Sequence, residues 1–201
     1  MLSQIRPAIV LVALFTVLTG LIYPLAITGI AQVVAPIRAN GNLVSVGGAP
    51  VGSALIGQNF TSDKYFHGRP SATSATDPND ATKTIDAPYN AANSSGSNLG
   101  PTSQKLIDRV KAGADALRAA GVSGVIPADA ATTSASGLDP HISPQFALAQ
   151  VGGVAKARKL PEDKVRALVE AHTQGRVLGL IGEPRVNVLL LNMALDALAS
   201  S

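Results

Sequence analysis

Between Arg6 and Arg38 the chain carries no charged residue. The stretch Pro7–Ile37 is 31 residues of mostly Val, Leu, Ile and Ala. At 1.5 Å of rise per residue, about 20 apolar residues cross the hydrocarbon core of a bilayer. This run predicts one membrane helix, and the rest of the chain must fold as a separate body. A cleaved signal peptide is the competing reading, with Gly29-Ile30-Ala31 as a small-x-small cleavage site. A signal h-region spans about 7–15 residues and follows a more basic segment. The length here favours an anchor that stays. Arg6 and the α-amine precede the span, and Arg38 alone closely follows it. The positive-inside rule then leans toward a cytoplasmic N-terminus and a domain outside the cytoplasm.

The span has internal structure. Thr16, Gly20, Pro24 and Thr28 recur every four residues and share a helix face. Small residues at that spacing let another helix approach closely in lipid, which predicts a partner seam. Pro24 lacks a backbone donor and predicts a kink.

Composition narrows the function. Charged residues make up 14% of the 201, against about 25% in ordinary soluble domains, as expected of a chain partly in lipid or against a partner. With no cysteine there is no thiol nucleophile, Cys-ligated metal or disulfide. The net charge of +3 is scattered, without a basic stripe carrying aromatics, which argues against nucleic acid.

The expected fold is α+β: residues 1–37 as tail and transmembrane helix, residues 38–201 as one small extracytoplasmic domain. Leu43-Val44-Ser45-Val46 reads as a strand, Gly47-Gly48-Ala49-Pro50 as a turn, and Val51 to Ile56 as the returning strand. Residues 60–103 are rich in Ser, Thr, Asn, Asp, Gly and Pro and read as a long ordered loop, anchored by Tyr65-Phe66, Tyr89 and Leu99. About four helices follow. The first runs from Thr102 to Gly121 with Leu106, Ile107, Val110, Ala114 and Leu117 on its apolar face. Ser143-Pro144 opens the second, to about Arg158, weakened by Gly152-Gly153. Pro161-Glu162-Asp163 starts the third, with Val165, Leu168, Val169 and His172 on one face. Val177–Ile181 reads as a short strand. Val186–Leu198 is a last helix, too short to span a bilayer and expected in the core.

The search for chemistry returns little. No Gly-x-x-x-x-Gly-Lys-Ser/Thr loop is present, and Gly96-Ser97-Asn98-Leu99-Gly100 reads as a tight turn rather than an anion cradle. His67, His141 and His172 are far apart, which argues against a metal site. Ser134, Ser136, Asp139 and His141 include the side-chain types of a hydrolase triad. Compressed into eight residues with Pro140 between Asp and His, they make triad geometry hard, so a structural role is expected.

Six strings read in order carry a resemblance. They are Gly20-Leu21-Ile22-Tyr23-Pro24-Leu25, Gly52 to Gln58, Tyr65-Phe66-His67-Gly68-Arg69-Pro70-Ser71-Ala72, Tyr89 to Thr102, Ser136 to Pro144, and Arg185 to Leu189 with Leu191-Asn192 and Leu195-Asp196. Together they resemble the C subunit of the Kdp potassium-transporting ATPase, the KdpC family, nearly end to end. The motif residues are Gly68, Arg69, Pro70, Asn98, Gly100, Asp139, His141, Asn187 and Asn192. The chain departs from the family's pattern at Gly152-Gly153 and at Leu190.

The resemblance implies a non-catalytic subunit of a bacterial inner-membrane complex, needed for its assembly. It implies a K⁺-binding channel-like subunit and a P-type ATPase subunit as partners, which handle K⁺ and ATP, and no cofactor of the chain's own. It also implies a role as catalytic chaperone, raising the ATP affinity of the ATPase subunit. In agreement, neither an Asp-Lys-Thr-Gly phosphorylation motif nor a Thr-Val-Gly-Tyr-Gly filter occurs in the sequence. The alternatives are a membrane-anchored periplasmic hydrolase using Ser134 or Ser136, or an anchored ligand-binding module.

Overall fold

A computed structural model describes residues 2–122 and 124–199. The chain divides into two compact units, one ending at Ser53 and one beginning at Ala54.

The first unit is led by a helix from Ile5 to Val34, 30 residues with a mean hydropathy of 2.3 over its most apolar window, long and apolar enough to cross a membrane. It consists of α1 (Ile5–Val17), a π-helical turn at Leu18–Ile22, and α2 (Tyr23–Val34). The π turn is the local answer to Pro24. The proline ring collides with the carbonyl four residues back, at Gly20. Widening the preceding turn, with the Tyr23 amide donating to the Leu18 carbonyl, relieves this crowding. Thr16 and Thr19 donate their hydroxyls to the carbonyls of Val12 and Phe15, at 2.7 and 2.6 Å, so neither offers lipid an unpaired donor.

Ala35, forced out of the helical region by Pro36, separates α2 from the short α3 (Pro36–Ala39). The Gln32 and Asn40 side-chain amides bond to each other reciprocally, at 3.2 and 3.1 Å, and hold α3 back onto α2. β1 (Leu43–Val46) and β2 (Ala49–Ser53) then form the expected hairpin. Its turn is tighter than expected. Gly47 and Gly48, both at positive φ, make a two-residue connection, so Ala49 and Pro50 belong to the strand. A bulge after Val44 accommodates Pro50, which cannot donate to the ladder.

The second unit is built on three helices and a three-stranded antiparallel sheet. The sheet has the order β5 (His141–Ile142), β7 (Arg185–Asn187), β6 (Thr173–Gln174). The helices are α6 (Pro144–Arg158), α7 (Glu162–Ala171) and α8 (Val188–Ala199). Pro144 opens α6 as expected, and the Ser143 hydroxyl accepts the Phe146 amide at 3.0 Å. Asp129, in the short α5 (Ala128–Ala131), accepts from both the amide and the hydroxyl of Ser143. The buried face of α6 is Phe146, Ala147, Val151, Val154 and Ala155. Gly152 and Gly153 fall on its open side, so they leave no gap in the buried face.

Val165 and Val169 of α7 and Leu191 and Leu195 of α8 close the core around Ile142, Val186 and Phe66. Each such side chain contributes about 1.5–3 kcal/mol by leaving water. The last helix starts at Val188 rather than Val186. Val186 pairs with Ile142 and Thr173 in the sheet, and Asn187 caps the helix by accepting the Leu190 amide.

Three further expectations are corrected. The 60–103 segment contains a hairpin, β3 (Ser74–Asp77) and β4 (Asp80–Asp86), turning at Pro78-Asn79 with the Asn79 amide on the Asp77 carboxylate. The helix expected from Thr102 is α4 (Gln104–Ala119), but Ile107 is 51% exposed and Arg109 takes a place on its inner face beside Leu106, Val110, Ala114 and Leu117. Val177–Ile181 is a tight turn closed on itself rather than a strand.

Candidate functional site

The four residues of the small face, Thr16, Gly20, Pro24 and Thr28, all lie on the open surface of the membrane helix. A Cβ added at Gly20 meets no atom within 4 Å, so that flank is clear for a neighbour.

Most of the motif residues of the second unit converge on one stretch, Ser136 to His141. Its carbonyls act as anchor points for distant segments. Leu138 accepts the Gly57 amide at 2.8 Å, Ser136 the Ser95 amide at 3.0 Å, and Pro140 the Val188 amide at 3.0 Å. Gly137 accepts the Ser71 hydroxyl at 2.8 Å. Its φ of +67° is left-handed, and a Cβ there would meet the Thr73 side chain and, at 2.7 Å, the Ser95 carbonyl. Only glycine fits this crossing.

Arg69 and Asp139 form a half-buried ion pair at 3.3 Å, and Arg69 also reaches Thr132 and the Thr133 carbonyl. Asp139 further accepts the His141 amide at 3.0 Å, with His141 Nδ1 at 3.7 Å. Burial opposes the charge on Asp139. The hydrogen bonds from His141 and the Arg69 guanidinium outweigh it and hold the carboxyl below its ordinary pKa. Tyr89 covers this pair and donates to the Arg69 carbonyl at 2.7 Å. Burial, and then the neighbouring Asp139 charge, push its phenol up to about 12. Gly57 and Gly68 lie directly under the Tyr89 ring, where a Cβ would overlap it.

Asn187 and Asn192 are buried amides with different tasks. Asn187, besides capping α8, donates to the Ala54 carbonyl at 2.8 Å. Asn192 accepts the Phe66 amide at 2.8 Å and donates to the Phe66 carbonyl at 2.9 Å. Gln150 repeats this clamp one residue on, at 2.7 and 3.1 Å from the His67 amide and carbonyl. Two side-chain amides thus stand in for a neighbouring strand. No local signal in the sequence marks the clamp by Gln150. Arg158 completes the seam. It donates to the Lys64 carbonyl and to Asp196, each at 2.6 Å, and lies 4.7 Å over the Tyr65 ring.

Pro70 is half-buried beside this cluster, while Asn98 and Gly100 lie apart at the surface before α4. Asn98 sits at φ +50°, and Gly100 accepts the Ser103 amide at the helix entry. These positions make a turn. Of the triad candidates, Ser134 is 4% exposed and the Ser136 hydroxyl accepts the Leu138 amide at 3.1 Å. Among the described residues, no hydrogen bond joins either serine to His141, and no three His, Cys, Asp or Glu side chains are grouped to hold a metal ion.

The sequence matches the KdpC family, described as the K⁺-transporting ATPase c chain, over residues 5–197. The chain belongs to the KdpC family. It is 64% identical over 197 residues to a potassium-transporting ATPase KdpC subunit of Rhodopseudomonas palustris strain BisB5, covering 98% of each chain. It is 62% identical to the subunit of that name from Bradyrhizobium diazoefficiens, over the whole of both chains. The same identity holds for the one from Methylobacterium nodulans, with 99% of each covered. The similarity includes the membrane helix as well as the folded unit behind it.

Proposed function

We propose that this chain is the accessory, non-catalytic subunit of an ATP-driven potassium uptake complex in the inner membrane. Its helix is a single-pass anchor with the N-terminus in the cytoplasm and the second unit outside. Its partners are a K⁺-binding channel-like subunit and a P-type ATPase subunit, and K⁺ and ATP are handled by those partners.

One observation carries this reading. The polar motif side chains Arg69, Asp139, Asn187 and Asn192 are spent on hydrogen bonds inside the fold, while the membrane helix leaves its sides open. That is the division expected of a rigid body presented to partners by a helix that packs in lipid. The chain raises the ATP affinity of the ATPase subunit through a coupling free energy carried across the assembly. Such couplings amount to about 1–3 kcal/mol, or roughly 5–150-fold in affinity. Neither ATP nor K⁺ then needs a site on this chain.

The test is to prepare membranes containing the other subunits with and without this chain and to follow K⁺-stimulated ATP hydrolysis against ATP concentration. Omission is expected to abolish the activity or to raise the half-saturating ATP concentration within that range. An unchanged curve refutes the proposal. Protease added to intact spheroplasts is expected to digest the second unit; protection there reverses the orientation.

A further inference from the structure

Among the described residues, two buried side-chain atoms have no hydrogen-bond partner, the Nε of Arg69 and the Nε of Arg109. Both arginines reach the same group of hydroxyls. Arg69 Nη2 donates to Thr132 Oγ1 at 3.4 Å and to the Thr133 carbonyl at 3.3 Å. Arg109 Nη2 donates at 3.3 Å to Ser97 Oγ, which also accepts from Thr133 Oγ1 at 3.4 Å. Well-made bonds of this kind centre near about 2.9 Å, so every bond in the group is slack. On a guanidinium, Nε and Nη2 share one edge, whose two N–H groups take two oxygens of one oxyanion. On both arginines that edge is half used, and on both its Nη2 end meets the Ser97–Thr133 group. The charges do not balance either. Asp139 answers Arg69 from the other side, at Nη1. Among the described residues, no carboxylate pairs with Arg109, and its neighbour Asp108 instead accepts from Gln104. An enclosed N–H on a cation is costly to leave unpaired, and two side by side call for a common partner.

We propose that the Nε edges of Arg69 and Arg109 bind a free tetrahedral oxyanion, inorganic phosphate or sulfate, which ties α4 to the segment carrying Thr132 and Thr133. Two planar edges with two N–H groups each suit an ion that offers several oxygens, where chloride offers a single centre. The ion enters as α4 gives way by a small distance, and α4 is free to do so. None of its 16 residues is buried. Its packing against α5 is ordinary contact: a Cβ at Gly113 would lie 3.8 Å from the Ala131 Cα. The enclosure of both Nε atoms admits a small free ion and excludes a phosphate carried on a lipid or a nucleotide. ATP therefore stays without a site on this chain. The oxyanion site goes beyond the assembly role and does not rest on it.

The experiment titrates the full-length chain in detergent with inorganic phosphate, and separately with sulfate, at an ionic strength held constant with sodium chloride. Thermal midpoint and hydrogen exchange over residues 104–119 are followed together. The midpoint is expected to rise to a plateau, and exchange in α4 to slow, while α6 in the core exchanges as before. Arg109→Gln is expected to raise the half-saturating phosphate concentration about tenfold or more, the loss of one charge-assisted hydrogen bond. Arg109→Lys keeps the charge without the fork and is expected to raise it as well. A midpoint that climbs without a plateau, equally in wild type and variants, is general salt exclusion and overturns the proposal. So does a plateau that neither variant moves, the absence of any response in the wild type, or an equal response to ATP. Each of these outcomes leaves the assembly role standing, because that role is read from ATP hydrolysis with and without the chain.

Discussion

Replacing Asn192 by Leu tests whether a side-chain amide holds the Tyr65-Phe66 segment in place of a strand. Asn192 is 1% exposed and Phe66 is fully buried, and two hydrogen bonds join them. Leucine keeps comparable volume but cannot donate or accept. The Phe66 amide and carbonyl are then both buried without partners. Each such group costs about 1–3 kcal/mol, so the expected loss is about 2–6 kcal/mol. At a factor of ten per 1.4 kcal/mol, opening of the segment becomes about 30-fold to about 20,000-fold more frequent. Hydrogen exchange on the full-length chain in detergent reads this directly, from peptides covering residues 64–70. Protection at Phe66 is expected to collapse while the α1–α2 helix, in the other unit, exchanges as before. Gln150→Leu is expected to repeat the effect more weakly at His67, which is only half-buried. If Asn192→Leu leaves protection at Phe66 unchanged, the clamp carries no energy and the reasoning fails.

Further outcomes follow from the cluster around Asp139 and from α6. Gly57→Ala places a methyl group against the Tyr89 ring and 2.7 Å from the Asp139 carbonyl, a backbone atom with little freedom. The expected loss is about 1–3 kcal/mol in chemical denaturation. Asp139→Asn removes the ion pair with Arg69 and is expected to cost roughly 1–2 kcal/mol at neutral pH, given partial exposure. Because the folded carboxyl is held below its ordinary pKa, its contribution is present above the unfolded value near 3.9 and lost as pH falls through the folded one. Wild type and variant should therefore converge in acid, and a gap that persists there contradicts the account. Gly153→Ala adds a methyl group with nothing within 4 Å on an exposed helical position. It is expected to stabilise the chain by about 0.5–1 kcal/mol, read as a raised thermal midpoint.

What could be read from the sequence follows the range of each interaction. The membrane helix needs only a long charge-free run. Ser143-Pro144 opens α6 through a cap spanning three residues, and Gly47-Gly48 turns a hairpin on backbone preference alone. The β3–β4 hairpin escaped because Ser74-Ala75-Thr76 and Thr82-Lys83-Thr84 show no apolar alternation, although Asp77-Pro78-Asn79-Asp80 is a strong turn signal. Val177–Ile181 has the composition of a strand, yet Leu178, Gly179 and Gly182 at positive φ fold it into a tip. Of the motif residues, the sequence shows positions but not their partners. Arg69 finds Asp139 seventy positions away, and Asn192 finds Phe66 across 126. Such pairs depend on the assembled core, and Gln150, which has no motif around it, is visible only there.

The central claim is that this chain acts on the pump without handling nucleotide. Calorimetric titration of the purified full-length chain with ATP, in detergent and without the other subunits, tests it most directly. No saturable heat is expected at millimolar ATP, while adding the chain to membranes that lack it restores K⁺-stimulated hydrolysis. Saturable, stoichiometric ATP binding to the isolated chain would contradict the account and its orientation in the membrane together.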